Sequence, residues 1–207
     1  MGKLIVNNIV SLDGYYADSA GNPLVLNMDA AFDRANLESI RAAGTVLLGR
    51  ESYEGFSAYW PFIAEAPEPV DPKARAFSAV NRDMSRRYNT IPKVVVSDRG
   101  PVASENAWVD TTTVIPRSQA SQWVIEAKQN FAEDIIVFGS RRMWTGLLAR
   151  GLIDELHLMI SPTGLGDGVK LFTDAAELKL VESHQFDDSS NVQLRYQILT
   201  PSTSVDS

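Results

Sequence analysis

The stretch Leu47-Leu48-Gly49-Arg50-Glu51-Ser52-Tyr53-Glu54 runs from an apolar segment into a glycine, then an arginine and a hydroxyl. Thr45 to Leu48 is short and apolar, as a strand covered on both faces is. A small residue after such a strand lets the backbone approach a ligand closely. The plan recurs twice: Val94-Val95-Val96 ends in Ser97-Asp98-Arg99, and Ile135-Ile136-Val137-Phe138 ends in Gly139-Ser140-Arg141-Arg142. Open α/β sheets bind ligands outside the carboxyl ends of their strands. One anionic ligand spanning all three ends is the reading these segments support.

Outward from this stretch, Lys3 to Val10 reads as a first strand closed by Ser11-Leu12-Asp13-Gly14. Asp29 to Ala42 reads as a helix, with Asp33, Leu37 and Ile40 on one face. Residues 56–71 carry Pro61, Pro67 and Pro69 and read as an irregular surface excursion that could serve as a lid. Asp71-Pro72 has the composition of a helix start, and Phe77, Val80, Met84 and Tyr88 give the helix after it an apolar stripe. Val94 to Ser97 is the next strand. Arg117 to Phe131 reads as a helix with Trp123, Ala127 and Phe131 four apart, and Met143, Trp144, Leu147 and Leu148 mark another after Phe138. This alternation predicts a largely parallel sheet. Asp154 to Ser161, Glu177 to Phe186 and Asn191 to Leu199 are strand-like, the last two joined by the turn-rich Asp187-Asp188-Ser189-Ser190, as in an antiparallel hairpin. A single domain over 1–199 with a disordered tail over 200–207 is the expected organisation.

Composition narrows the function. The chain of 207 residues is long enough to bury a substantial core, and it has no cysteine, which removes thiol nucleophiles, thiolate metal sites and disulfides together. A formal net charge of -7 argues against a general nucleic-acid binder, which needs a basic field. No run reaches the roughly 18 apolar residues of a membrane span, and no signal peptide is evident before the first strand. A cytoplasmic protein without membrane or nucleic-acid partners is expected. The two histidines, His157 and His184, lack any second-ligand spacing, so no metal is expected. Gly164-Leu165-Gly166-Asp167-Gly168 follows Pro162 and leads into Val169-Lys170-Leu171-Phe172 rather than a helix. It fits no nucleotide-binding fingerprint and reads as a turn at the sheet edge, near a site mouth.

Together, Ser11-Leu12-Asp13-Gly14, Leu47-Leu48-Gly49-Arg50 with Ser52-Tyr53-Glu54, Tyr59-Trp60-Pro61, Val95-Val96-Ser97, Val137-Phe138-Gly139-Ser140 and Gly151-Leu152-Ile153-Asp154-Glu155-Leu156 resemble the dihydrofolate reductase-like family. Within it, the chain is most similar to the C-terminal reductase domain of riboflavin biosynthesis, the RibD C-terminal-like group. The resemblance runs from Lys3 to about Leu199. It implies a three-layer α/β sandwich with a mixed, mostly parallel sheet and an antiparallel C-terminal hairpin. The implied activity is NADPH-dependent hydride transfer to a small heterocyclic or carbonyl substrate, like that of 5-amino-6-(5-phosphoribosylamino)uracil reductase. A homodimer is implied as well.

The resemblance also assigns residues. Gly49-Arg50-Glu51-Ser52 is similar to the Gly-Arg-x-Thr segment that meets the cofactor phosphates, with Ser52 keeping the hydroxyl. Ser97 and Arg99 resemble the serine and basic residue beside the adenosine phosphate, which favours NADPH over NADH because a guanidinium fork suits phosphate. Gly139-Ser140-Arg141-Arg142-Met143-Trp144 is similar to the family's glycine-rich turn, with Ser140 and Arg141 in place of two glycines. Asp33 stands sixteen positions before Gly49, the separation of catalytic carboxylate and cofactor glycine in a bacterial dihydrofolate reductase. Two readings of Asp33 stand: a proton relay for hydride addition, or an acidic residue favouring the helix dipole. Asp13 is a turn residue or a substrate contact. Tyr59 and Trp60 cap a flat heterocycle or anchor a loop. Two departures concern the substrate: Phe138 stands where riboflavin-pathway reductases carry an acidic residue, and Leu37 stands where folate reductases carry an aromatic one. A protein that binds a dinucleotide without turnover is the competing reading from a different class.

Overall fold

The computed structural model describes residues 1–67 and 75–199. Its elements in chain order are β1 (Leu4–Ser11), β2 (Tyr15–Ala17), α1 (Ala30–Ala42), β3 (Ala43–Gly49), α2 (Arg50–Tyr59), α3 (Ala79–Thr90), β4 (Lys93–Val96), β5 (Thr112–Ile115), α4 (Ala120–Asn130), β6 (Asp134–Phe138), α5 (Arg141–Leu148), β7 (Glu155–Ser161), β8 (Val169–Lys170), β9 (Glu177–Gln185) and β10 (Val192–Leu199). An eight-stranded sheet has the order β5-β4-β3-β6-β1-β7-β10-β9. The six strands from β5 to β7 are parallel, and β10 and β9 close that edge antiparallel. β2 and β8 form a separate two-stranded ribbon.

Side-chain alternation along the central strands produces the layers. Leu47, Ile135 and Val137 point to the face covered by Val124 and Ala127 of α4 and Trp144 and Leu147 of α5. Val46, Leu48, Ile136 and Phe138 point to the opposite face, against Leu37 and Ile40 of α1 and Met84 and Tyr88 of α3. Both faces of the central strands are therefore dry, and their near-continuous apolar sequence follows. The result is the three-layer α/β sandwich with an antiparallel C-terminal hairpin.

The site position follows from the connections. The chain leaves β3 toward β4 through α2 and α3, and leaves β6 toward β7 through α5 on the other face. Adjacent strands whose exits diverge to opposite faces open a crevice between their carboxyl ends, the switch point where such sheets take ligands.

Two expectations are corrected, two lie outside the described residues, and one strand was not foreseen. Residues 56–62 are not an irregular excursion: α2 continues to Tyr59 and a 3-10 turn spans Trp60–Phe62, with Pro61 in its first turn, where no N–H is required. This segment is pinned rather than lid-like, because Ser85 Oγ donates to Trp60 O and accepts from Ala64 N–H, while Trp60 stacks on Tyr88. The helix start at Asp71-Pro72 lies outside the described residues. Within them a 3-10 turn covers Arg75–Phe77, and α3 begins after Ser78, whose hydroxyl caps Asn81 N–H. The helix expected from Arg117 begins as a 3-10 turn, Arg117–Gln119, and is α-helical only from Ala120. β5, whose Thr112-Thr113-Val114-Ile115 shows no strong alternation, is an unforeseen edge strand. The tail over 200–207 also lies outside the described residues.

Candidate functional site

β4, β3 and β6 are neighbours, so Ser97, Gly49 and Gly139 stand side by side along one rim. Two hydrogen bonds knit the rim. Gly49 N–H donates to Ser140 Oγ at 3.0 Å, and Ser140 N–H donates to Ser52 Oγ at 3.0 Å. Each hydroxyl thereby accepts from the backbone and keeps its own proton to donate. α2 and α5 begin at the ends of β3 and β6, so their N-termini adjoin this crevice; in α5 the Met143 N–H is taken by Ser140 O, and the N–H groups before it have no intrahelical acceptor.

The backbone at the turn is special. Gly139 has φ +57 and Ser140 φ +51, and Ser140 is the only non-glycine with positive φ among the described residues. A serine held left-handed stores about 1 kcal/mol or more of strain, which its two backbone hydrogen bonds offset. Gly49 is different: at φ -77 and ψ 157 its backbone suits any residue. What its missing side chain leaves is space beside Met143 and Ser140, 3.5 and 3.9 Å from where a Cβ would stand.

The arginines divide by what they touch. Arg50 sends Nε to Glu54 at 2.8 Å and Nη1 to the carbonyls of Gly100 and Pro101, and so fastens the loop after β4. Arg99 reaches the other oxygen of Glu54 at 3.3 Å. Its N–H donates to Ser97 Oγ. Arg142 is exposed beside Glu51, whereas Arg141 Nε donates to Leu171 O. Beyond Ser97 a cleft of about 540 Å³ opens, walled by Pro101, Val102, Val109, Val114 and Pro116.

The residues expected on the substrate side do not all come together. Asp33, only 8% exposed in the first turn of α1, bonds Arg75 Nη1 through Oδ1 (2.8 Å) and Asn81 Nδ2 through Oδ2 (3.0 Å). Burial pushes its pKa up, partly opposed by the Arg75 charge and the Asn81 hydrogen bond. Tyr59 is partly exposed close by; burial raises its pKa and the Asp33 charge raises it further. Trp60 meets Tyr59 edge-on at 5.1 Å and stacks at 5.4 Å on fully buried Tyr88, so it belongs to the core wall. Asp13 is engaged elsewhere. It accepts from Ser11 Oγ, Leu165 N–H and Gly166 N–H, and the Ser11 bond, then those of Gly166 and Leu165, hold its pKa down to about 2. It clasps the 11–14 turn to the 164–168 loop.

Four residues join the site without having been foreseen. Arg75 and Asn81 hold Asp33. Glu54 lies between two arginines, and the Arg50/Glu54 spacing of four within a helix was its available signal. Tyr16 is the fourth: a Cβ on Gly139 would come within 3.4 Å of its hydroxyl and 3.7 Å of that of Ser52. That contact joins β2 to the turn after β6, and no local pattern announces it. No cluster of potential metal ligands occurs among the described residues, and no described helix is long and apolar enough to cross a membrane.

A mostly parallel sheet with a hydroxyl-lined crevice at its switch point defines the class, an α/β sandwich of the dihydrofolate reductase-like kind. Residues 2–192 match the RibD C-terminal domain, and the chain belongs to that family. A curated relative is YyaP, an uncharacterized protein of Bacillus subtilis (strain 168), 26% identical over 197 residues and covering 94% of each chain. Among solved structures, RibD of Acinetobacter baumannii is similar with a TM-score of 0.69 at 16% identity, covering 97% of this chain and 59% of that one. A pyrimidine reductase-like protein from Corynebacterium diphtheriae is similar with a TM-score of 0.57 at 16% identity, covering 96% and 92%. The Thermotoga maritima diaminohydroxyphosphoribosylaminopyrimidine deaminase/5-amino-6-(5-phosphoribosylamino)uracil reductase gives 0.61 at 16%, covering 96% and 57%. The chain thus spans a little over half the length of the Acinetobacter and Thermotoga proteins, and these likenesses establish the fold.

Proposed function

We propose that this protein is an NADPH-dependent reductase acting on a small heterocyclic or carbonyl substrate, as a cytoplasmic homodimer. The observation that carries the reading is the hydrogen-bonded rim of Gly49, Ser52 and Ser140 between two helix N-termini at the switch point. Free hydroxyl protons, free N–H groups and a glycine whose backbone needs no glycine fit a pyrophosphate. Arg50, Arg99 and Ser97 would hold the adenosine phosphate, with Arg142 as an outer charge. The apolar cleft beyond Ser97 has walls suited to a flat base.

When bound, the cofactor supplies the hydride. This chain's own groups position the partners and manage the accompanying proton. Asp33 is assigned as the relay: it is buried, its pKa is raised, and Tyr59 beside it reaches solvent. Arg75 and Asn81 fix its orientation. Phe138 where the riboflavin-pathway enzymes carry an acid favours a substrate other than theirs. For the dimer, β9 supports the reading: it is an edge strand with Leu180 and Val181 exposed, a surface that soluble proteins cover or guard.

One observation favours binding without turnover: both oxygens of Asp33 are already engaged. Spectroscopic assays of NADPH consumption with pterins, pyrimidines, flavin precursors and small carbonyls separate the two. Steady consumption abolished by Asp33→Asn, with NADPH affinity unchanged, is expected. Tight NADPH binding with no consumption across the panel would refute the enzymatic reading.

A further inference from the structure

We propose that Glu54 sets how strongly the cradle discriminates between a 2′-phosphorylated dinucleotide and its unphosphorylated counterpart; the inference rests on the cofactor reading above. The Glu54 carboxylate is gripped at both oxygens, Oε1 by Arg50 Nε at 2.8 Å and Oε2 by Arg99 Nη2 at 3.3 Å. A carboxylate spanning two guanidinium groups fills the place in which a phosphate monoester would make the same charge-assisted bonds.

The three side chains differ in freedom. The Arg50 side chain is 16% exposed and also tied to Gly100 O and Pro101 O, so it stays. Those of Arg99 and Glu54, at 58% and 48%, stand half in water. A phosphate reaching Arg50 and Arg99 has to displace Glu54, because two anions would otherwise share one pair of arginines. A ribose with a free 2′-hydroxyl makes no such demand, since the hydroxyl donates to the Glu54 carboxylate where it already lies. Acidic residues and arginines usually serve the two ribose forms separately; here one of each kind is bound to the other. Glu54 therefore tempers a phosphate preference that the arginines create. Exposed ion pairs exchange partners at small cost, so the tempering is modest.

The test is calorimetric titration of the full chain and of Glu54→Gln with NADPH and with NADH. Glutamine keeps the length and an acceptor for Arg50 and removes the charge. NADPH is expected to bind about three- to tenfold more tightly to the variant, with NADH unchanged or weaker. Unchanged or weaker NADPH binding to the variant, or an equal gain for both dinucleotides, overturns the role given to Glu54 and leaves the cofactor reading standing. Failure of the unsubstituted protein to bind either dinucleotide overturns the cofactor reading and this inference with it.

Discussion

Substituting Gly49 by alanine separates the ligand cradle from the fold. At φ -77 and ψ 157 the position accepts alanine without backbone strain, and the new methyl would lie 3.5 Å from Met143 Cβ and 3.9 Å from Ser140 Oγ, both ordinary contacts. Gly49 is the N-cap of α2 and makes no side-chain cap, so alanine forfeits the preference for glycine there, about 1 kcal/mol. It regains about 0.4–1 kcal/mol from a stiffer unfolded chain. The two nearly cancel, and stability should stay within about 0.5 kcal/mol of the original. Ligand binding has no such compensation. The methyl fills the space beside Met143 and Ser140 between the ends of β3 and β6, where a phosphate would approach the Ser140 hydroxyl. Losing one charge-assisted hydrogen bond to a phosphate, worth about 1.5–3 kcal/mol, weakens NADPH by roughly ten- to a hundredfold. Thermal melting and a fluorescence titration of NADPH on the same preparation measure both quantities. An unchanged melting point with unchanged affinity would refute the cradle.

Three further outcomes are expected. Ser140→Ala orphans the Gly49 N–H while keeping the left-handed backbone, and should cost about 1–2 kcal/mol in urea unfolding; Ser140→Gly loses the same bond but sheds the strain and should cost less. The reverse order would show that φ +51 is not strained here. Lys93, 1% exposed, has its pKa lowered to about 7, mainly by burial and then by the Arg87 charge. The unfolded chain holds this proton up to its ordinary pKa of 10.5 while the folded chain releases it near 7, so stability should rise with pH between those values, by up to about 2 kcal/mol from pH 7 to 9. Lys93→Met should remove that rise, and equal pH slopes in denaturant would contradict the assignment. Val181→Asp on β9 should give a monomer in sedimentation; a dimer that survives it would place the interface elsewhere.

The core of the sheet was legible because its strands are buried on both faces. Val94-Val95-Val96 and Ile135-Ile136-Val137-Phe138 need no partner to be recognised: each is too short and too apolar for anything but a covered strand. Legibility fails where tertiary contacts decide. Three prolines suggested an irregular excursion from Phe56, yet Tyr53 and Ser57 face the core and Trp60 finds Tyr88, so helical structure persists to Phe62. β5 is a strand because β4 offers it a parallel edge; its own threonines and valine would serve equally well in a loop.

The site divides along the same line. The side proposed for the cofactor is made of strand ends and helix starts, features that a sequence writes locally as a small residue, a hydroxyl and an arginine, and Gly49, Ser52, Ser97, Gly139 and Ser140 stand along one rim as those words suggest. Sequence could not say what the arginines would do once together. Arg50 spends two of its donors on carbonyls of the loop after β4, Arg141 turns to Leu171, and Glu51 and Glu54, spaced three apart on α2, each meet an arginine brought from another segment. A count of arginines near a cradle therefore overstates the charge it offers. The substrate side is less legible still, because the state of Asp33 depends on Arg75 and Asn81, more than forty positions away. Its place in a helix could be read from the sequence. Whether it can exchange a proton depends on how readily those two partners release it, and that follows from the packing of α1 against α3 and the Arg75–Phe77 turn before it.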